Sequence, residues 1–136
     1  MGLDNGICIR AKERSSEIPI ELQTFTYSDG TINYEVLYWR KCWGIRNAII
    51  DYLVTKHPMA YTIDNSDFSL NLADLGGIYG ILCTFNSEEY WTANSDSIWE
   101  WKEFEAQLKT QLSNMRWLIS YAMRNPDAEI YFYDSY

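Results

Sequence analysis

The sequence predicts an α+β fold: a mostly antiparallel sheet of four to five strands, covered by two to three helices. Three observations predict it. Both ends of the chain alternate apolar and polar residues with the period of a strand, Asp29-Gly30 sits between two β-rich runs, and apolar residues recur at steps of three and four from Trp101 to Ala122.

At the N-terminus Leu3, Asn5, Ile7, Ile9 and Ala11 alternate with Asp4, Gly6, Cys8, Arg10 and Lys12, the pattern of a strand with one buried face. A polar loop, "AKERSSE", leads into "IPIELQTFTYSDGTINYEV", two runs joined by Asp29-Gly30 as a hairpin, with Pro19 at the entry where its missing N–H does least harm. From Tyr38 to about His57 the spacing becomes helical. Trp39, Cys42, Ile45, Ile49 and Leu53 form one stripe, and Pro58 stops the helix. "AYTID" reads as a short strand, and "NSDFS" supplies caps for a second helix bearing Leu72, Leu75, Ile78, Leu82 and Phe85. Gly76, Gly77 and Gly80 each cost that helix roughly 1 kcal/mol relative to Ala, which points to either a close packing contact or a break.

Ser97 and Glu100 form a Ser-x-x-Glu capping box for the last helix, whose core face carries Phe104, Leu108, Leu112, Met115 and Leu118. Asn125-Pro126-Asp127 ends it. "EIYFYDSY" is then a closing strand with Ile130 and Phe132 on one face and Tyr131 and Tyr133 on the other. There is no internal repeat or linker, so residues 1–136 are expected to form one domain.

A formal charge of −8 excludes wrapping nucleic acid with the general surface. The three cysteines, Cys8, Cys42 and Cys83, are far apart and lack the spacing of a zinc site, which fits a reducing cytoplasm and no metal. Asp4 stands where a signal peptide needs a basic start, so export by that route is not expected. "LGGIYGILCTFN", the longest uncharged stretch, is too short to span a bilayer as a helix, so no membrane partner is expected.

The start "MGLDNGICI" and the later "EVLYWRKCWGIRNAI", Glu35 to Ile49, together resemble a loose family of small phage and prophage proteins that begin Met-Gly-Leu-Asp and carry a Tyr-Trp-Arg-Lys helix. The resemblance covers about a quarter of the chain. It implies a phage or prophage setting, hence the host cytoplasm, and transfers no catalytic residue or cofactor.

Two candidate sites follow from the residues. Trp39, Arg40, Trp43, Arg46 and Asn47, with Asp4 from the first strand, combine planar rings and cations suited to a nucleotide-like ligand, whose base stacks and whose phosphate takes guanidinium. The same tryptophans at helical spacing are also what plain core packing would produce. Asp4 is placed to face Arg40 or Arg46 in a buried ion pair. Trp91 and Trp99, among acidic residues, and the Tyr-rich C-terminus are candidate anchors for a protein partner. His57 caps a helix end, where the dipole favours a cation.

The functional expectation is therefore a non-enzymatic binding protein that sequesters a small nucleotide-like ligand or masks a host protein, in a counter-defence role. The aromatic content also fits a homodimer. The alternatives are a small enzyme acting on a phosphorylated metabolite, for which the sequence offers no nucleophile or metal cluster, and an acidic protein–protein inhibitor.

Overall fold

The computed structural model describes residues 4–19, 21–58, 67–95 and 99–135. Its elements in chain order are β1 (Asp4–Ala11), β2 (Gln23–Thr26), β3 (Ile32–Arg40), α1 (Trp43–Lys56), β4 (Phe68–Ser69), α2 (Leu72–Thr84), α3 (Glu88–Asn94), α4 (Trp101–Arg124) and β5 (Glu129–Ser135). The strands form one antiparallel sheet in the order β2-β3-β1-β5-β4. The first strand is thus central, flanked by the hairpin on one side and by the last strand on the other. The expected fold class holds, with four helices rather than two to three.

The hairpin turn forms as Asp29-Gly30 dictates. Gly30 takes a φ of 91°, a left-handed value that costs glycine little, and the Asp29 side chain accepts from the Thr31 N–H at 2.9 Å. The first run enters the sheet only at Gln23. Ile18, beside Pro19, is instead a loop residue buried in the core.

One expectation is corrected. Tyr38, Trp39 and Arg40 continue β3 and do not open the helix, because β1 is long enough to pair with them: Asp4 faces Arg40 and Asn5 faces Trp39. The reversal comes at Lys41, with a φ of 54°, and α1 starts at Trp43. Val36 is the extra residue of a β-bulge, since Ile7 faces Leu37 while Cys8 faces Glu35. The bulge shifts the alternation by one. Ile32 and Tyr34 point inward before it, Leu37 and Trp39 after it, which leaves Tyr38 and Arg40 on the outer face.

All four helices contribute to one core. Ile45, Ile49 and Leu53 of α1, Leu75, Ile78 and Leu82 of α2, Trp91 of α3 and Phe104, Leu108, Met115 and Leu118 of α4 cluster with Ile7, Ile9, Leu37, Trp39, Ile130 and Phe132 of the sheet. The cap of α2 is also corrected. Asn71 and Asp74 form a reciprocal capping box there, whereas Phe68 and Ser69 of "NSDFS" pair with β5. The "AYTID" stretch, Asn65, Ser66 and Ser97 lie outside the described residues. The described start of α4 is Glu100, which caps through its backbone position without a side-chain bond.

The glycines of α2 resolve into two kinds. A Cβ on Gly77 would lie 2.3 Å from the ring of Tyr52 on α1, so this position is a packing contact between helices. Gly76 and Gly80 face open space, and the helix runs through them unbroken. Accordingly, Gly76→Ala and Gly80→Ala should each raise stability in urea titrations, by up to about 1 kcal/mol. Gly77→Ala should give less than either or lower it, as Tyr52 must move.

Candidate functional site

The sheet has two unlike faces. Inward residues join the helical core, while the outer face carries Asp4, Gly6, Cys8 and Arg10 of β1, Asn33, Glu35, Tyr38 and Arg40 of β3, and Tyr131 and Tyr133 of β5. Neither Cys8 nor Tyr131, both buried, belongs to the helical core cluster. What buries them is the outer face itself.

Two tyrosines of β5 lie across the central strand. Tyr133 passes over Gly6, and a Cβ there would sit 2.5 Å from its ring, to donate its hydroxyl to Glu35 at 2.9 Å on β3. Tyr131, level with Cys8 of β1, donates to Asn33. The small residues at positions 6 and 8 make room for both rings. Tyr38 donates to Asp4 at 2.7 Å, and Arg10 lies 4.4 Å above the Tyr131 ring while pairing with Asp67 at 2.9 Å and Glu129 at 2.8 Å. Phe25 and Tyr27 extend the pavement edge to face, 5.0 Å apart. Phe25 is 61% exposed and Tyr38 38%, so the rim of this face presents aromatic rings to solvent.

Burial sets the ionisation here. It pushes the Cys8 thiol up to about 11, which leaves it protonated and a poor nucleophile. Tyr38 rises to about 12, from burial first and then from its bond to Asp4. Tyr133 is raised by burial and by the Glu35 charge. Glu35 is itself held above the ordinary glutamate range by burial and by the nearby Asp4, against the Tyr133 hydrogen bond that favours its charged form.

The residues expected to hold a nucleotide are dispersed. Trp39 is fully buried and donates its indole N–H to Gln111 at 2.9 Å, as a sealed tryptophan must. Arg40 is exposed on the outer face, beyond the sheet from α1. Arg46 binds Asp134 of β5 through Nη2 at 2.7 Å and Nε at 3.1 Å, and its Nη1 donates to Asn47. The carboxylate that takes Arg46 is therefore Asp134, not Asp4. Asp134 also accepts from Asn5, which makes a buried network at the end of the central strands. Trp43 is 38% exposed with the Arg46 guanidinium 5.7 Å from its ring. Gly44 is a packing residue: its N–H donates to the Ser95 carbonyl, and a Cβ would lie 1.9 Å from the Asn94 carbonyl oxygen.

The expected tryptophan anchors also face inward. Trp91 is 2% exposed and stacked on Phe104 at 3.8 Å, and Trp99 is partly buried against the core. His57 caps α1 through its N–H to Leu53, and its Nε2 lies 2.9 Å from Asp74. Among the described residues no group of three or more His, Cys, Asp or Glu is placed to hold a metal, and no helix is long and apolar enough to cross a membrane.

The sequence offered the Tyr-rich C-terminus as an anchor and put Tyr131 and Tyr133 on one face; what it missed was that both rings lie across β1. The signal for this was the Tyr-x-Tyr alternation in β5 opposite Gly6 and Cys8, two small residues on the same side of β1. No protein-family model, curated protein or solved structure matches the chain.

Two outcomes follow. Arg46→Ala leaves Asp134 buried without its cation and should cost about 3 kcal/mol in urea unfolding, far more than Trp43→Ala. Glu35, raised in the fold, contributes stability that is complete below the ordinary glutamate pKa and is lost as pH rises through the raised one. Glu35→Gln keeps an acceptor for Tyr133 and should therefore be more stable than the wild type at neutral pH. That gain should vanish in acid, as thermal unfolding across a pH series would report.

Proposed function

We propose that this chain is a non-enzymatic binding protein, of the phage or prophage kind its two motifs resemble, that masks a host protein by laying the open face of its sheet against it. The observation that carries this reading is the face itself. None of the described helices covers it, and it is aromatic at its rim and acidic between the rings. Phe25, Tyr27 and Tyr38 supply rigid rings of the type enriched at interfaces, and Asp4, Asp67, Glu35 and Glu129 outnumber Arg10 and Arg40 around them. Arg10 is already committed to two of those carboxylates. A basic protein surface is the complementary partner.

The hydrogen bonds on the face favour this reading further. Tyr38 and Tyr133 are held by Asp4 and Glu35 over a buried Tyr131, so a partner would meet rings already fixed in place and little side-chain entropy would be lost on binding. The nucleotide version has weaker support. Trp43 is exposed beside Arg46, but that guanidinium is committed to Asp134 and Asn47, and Trp39 is sealed in the core.

Phe25 and Tyr27 lie at the rim, outside the helical core, so Phe25→Ala with Tyr27→Ala should lower the unfolding temperature slightly and leave the chain folded, as circular dichroism would report. For a host protein captured by the wild type and then purified, this pair should raise the dissociation constant at least tenfold, about 1.4 kcal/mol. Undiminished binding by the double variant would remove the open face from the function. A shift of several degrees in melting temperature with any nucleotide would return the small-ligand reading to first place.

A further inference from the structure

β2 is shorter than the strand it pairs with. Gln23 to Thr26 face Glu35 to Ile32, so on that side Val36 to Arg40 have no strand partner among the described residues. The backbone groups of this stretch alternate in direction. The Leu37 carbonyl lies toward Gly6 of β1, and the Val36 carbonyl points the other way, where the Asn114 side-chain amide donates to it at 3.2 Å. By the same alternation Tyr38 directs its N–H and C=O, and Arg40 its N–H, at the unpaired edge, while the Arg40 carbonyl takes the Cys42 thiol at 3.6 Å.

That edge borders a groove of about 710 Å³ between β3 and α4. On the helix side it is lined by Ala106, Gln107, Thr110, Gln111 and Asn114, all small or uncharged. Among the described residues Glu35 is the one charged side chain in its lining. Its Oε2 accepts from Tyr133, and its Oε1 takes no hydrogen bond among the described residues.

We propose that this groove receives an extended, lysine- or arginine-bearing segment of the partner protein, which adds to the sheet as a strand alongside Val36–Arg40 and sets a basic side chain against Glu35. The inference rests on the open-face reading and says how the partner is gripped there. Added strands gain affinity from main-chain hydrogen bonds and specificity from alternate side chains. Here the alternation has a definite chemistry. Side chains on one face of the segment meet Ala106 and Thr110 and must be small or uncharged, while those on the other lie beside Glu35, Tyr38 and Asp4 and favour cations. The added strand lies beyond Gln23 in the direction of β2, and the Asn114 side chain, which holds the Val36 carbonyl, gives way to its main chain.

The test uses the full chain, ¹⁵N-labelled, with a seven-residue peptide of alternating lysine and threonine as the probe. Alternating glutamate and threonine serves as the control. The lysine peptide should slow amide exchange at Tyr38 and Arg40 at least tenfold at saturation and shift the signals of Ala106 to Asn114. Glu35→Gln, which keeps the Tyr133 contact, should weaken it at least fivefold. Methylating the peptide nitrogens that face the edge should abolish binding without altering its charge. Equal binding of the glutamate peptide, or full activity of the methylated one, overturns the inference. Shifts at Phe25, Tyr27 and Tyr131 with unchanged exchange at Tyr38 and Arg40 would overturn the strand addition and leave the open face standing. Should the double variant at Phe25 and Tyr27 fail to weaken the captured partner while the lysine peptide still protects Tyr38, the broad face falls and the edge remains.

Discussion

The central position of β1 constrains everything else. Paired on both edges, its residues from Asn5 to Ile9 are buried on both faces, so each of them must satisfy a different neighbour. Asn5, Ile7 and Ile9 are given to the helical core and its polar margin, while Gly6 and Cys8 are kept small for the tyrosines of β5. The two faces are therefore linked through one strand of eight residues. A change of register by one residue would turn Ile7 and Ile9 toward solvent and drive Gly6 and Cys8 into the core, which would lose the packing on one side and the tyrosine layer on the other.

The bulge at Val36 extends this logic to β3. Without it, the inward alternation of Ile32, Tyr34 and Val36 would turn Trp39 outward and put Tyr38 in the core. With it, the large indole is buried against Gln111 and the phenol of Tyr38 reaches Asp4 on the outer face. The same irregularity leaves the Val36 carbonyl at the open edge, where Asn114 of α4 holds it. A local irregularity thus assigns the aromatic residues to their faces and ties the sheet to its longest helix.

Much of this fold was legible because the chain's signals are local where they are strong. The N-terminal and C-terminal alternations, the Asp29-Gly30 turn and the periodicity of α4 each report a nearest-neighbour preference. The start of the first helix was not legible, because Trp39, Cys42 and Ile45 sit at spacings of three that suit a helix. The competing strand is stabilised by β1, more than thirty residues upstream. The site was harder still. Tyr131 and Tyr133 could be assigned to a face, but that they reach over Gly6 and Cys8 to β3 depends on strand register, which no single segment encodes. Arg46 was expected to bind a ligand phosphate or to pair with Asp4, and its actual partner, Asp134, came from the far end of the chain. The adjacent apolar pair Val36-Leu37, which breaks strict alternation, was the readable sign of the bulge.

The pairing of β1 with β5 also carries a kinetic consequence. Asp4 must find Ser135, and Asn5 must find Asp134, across nearly the whole described chain. Contacts so distant in sequence close a long loop before they return any stabilisation, so this topology folds slowly for its size. During synthesis, the hairpin and the helices can gather while one edge of β1 waits without its neighbour. The unpaired edge of a strand rich in isoleucine is then open to strands of other chains, and the emergence of β5 from the ribosome closes that interval.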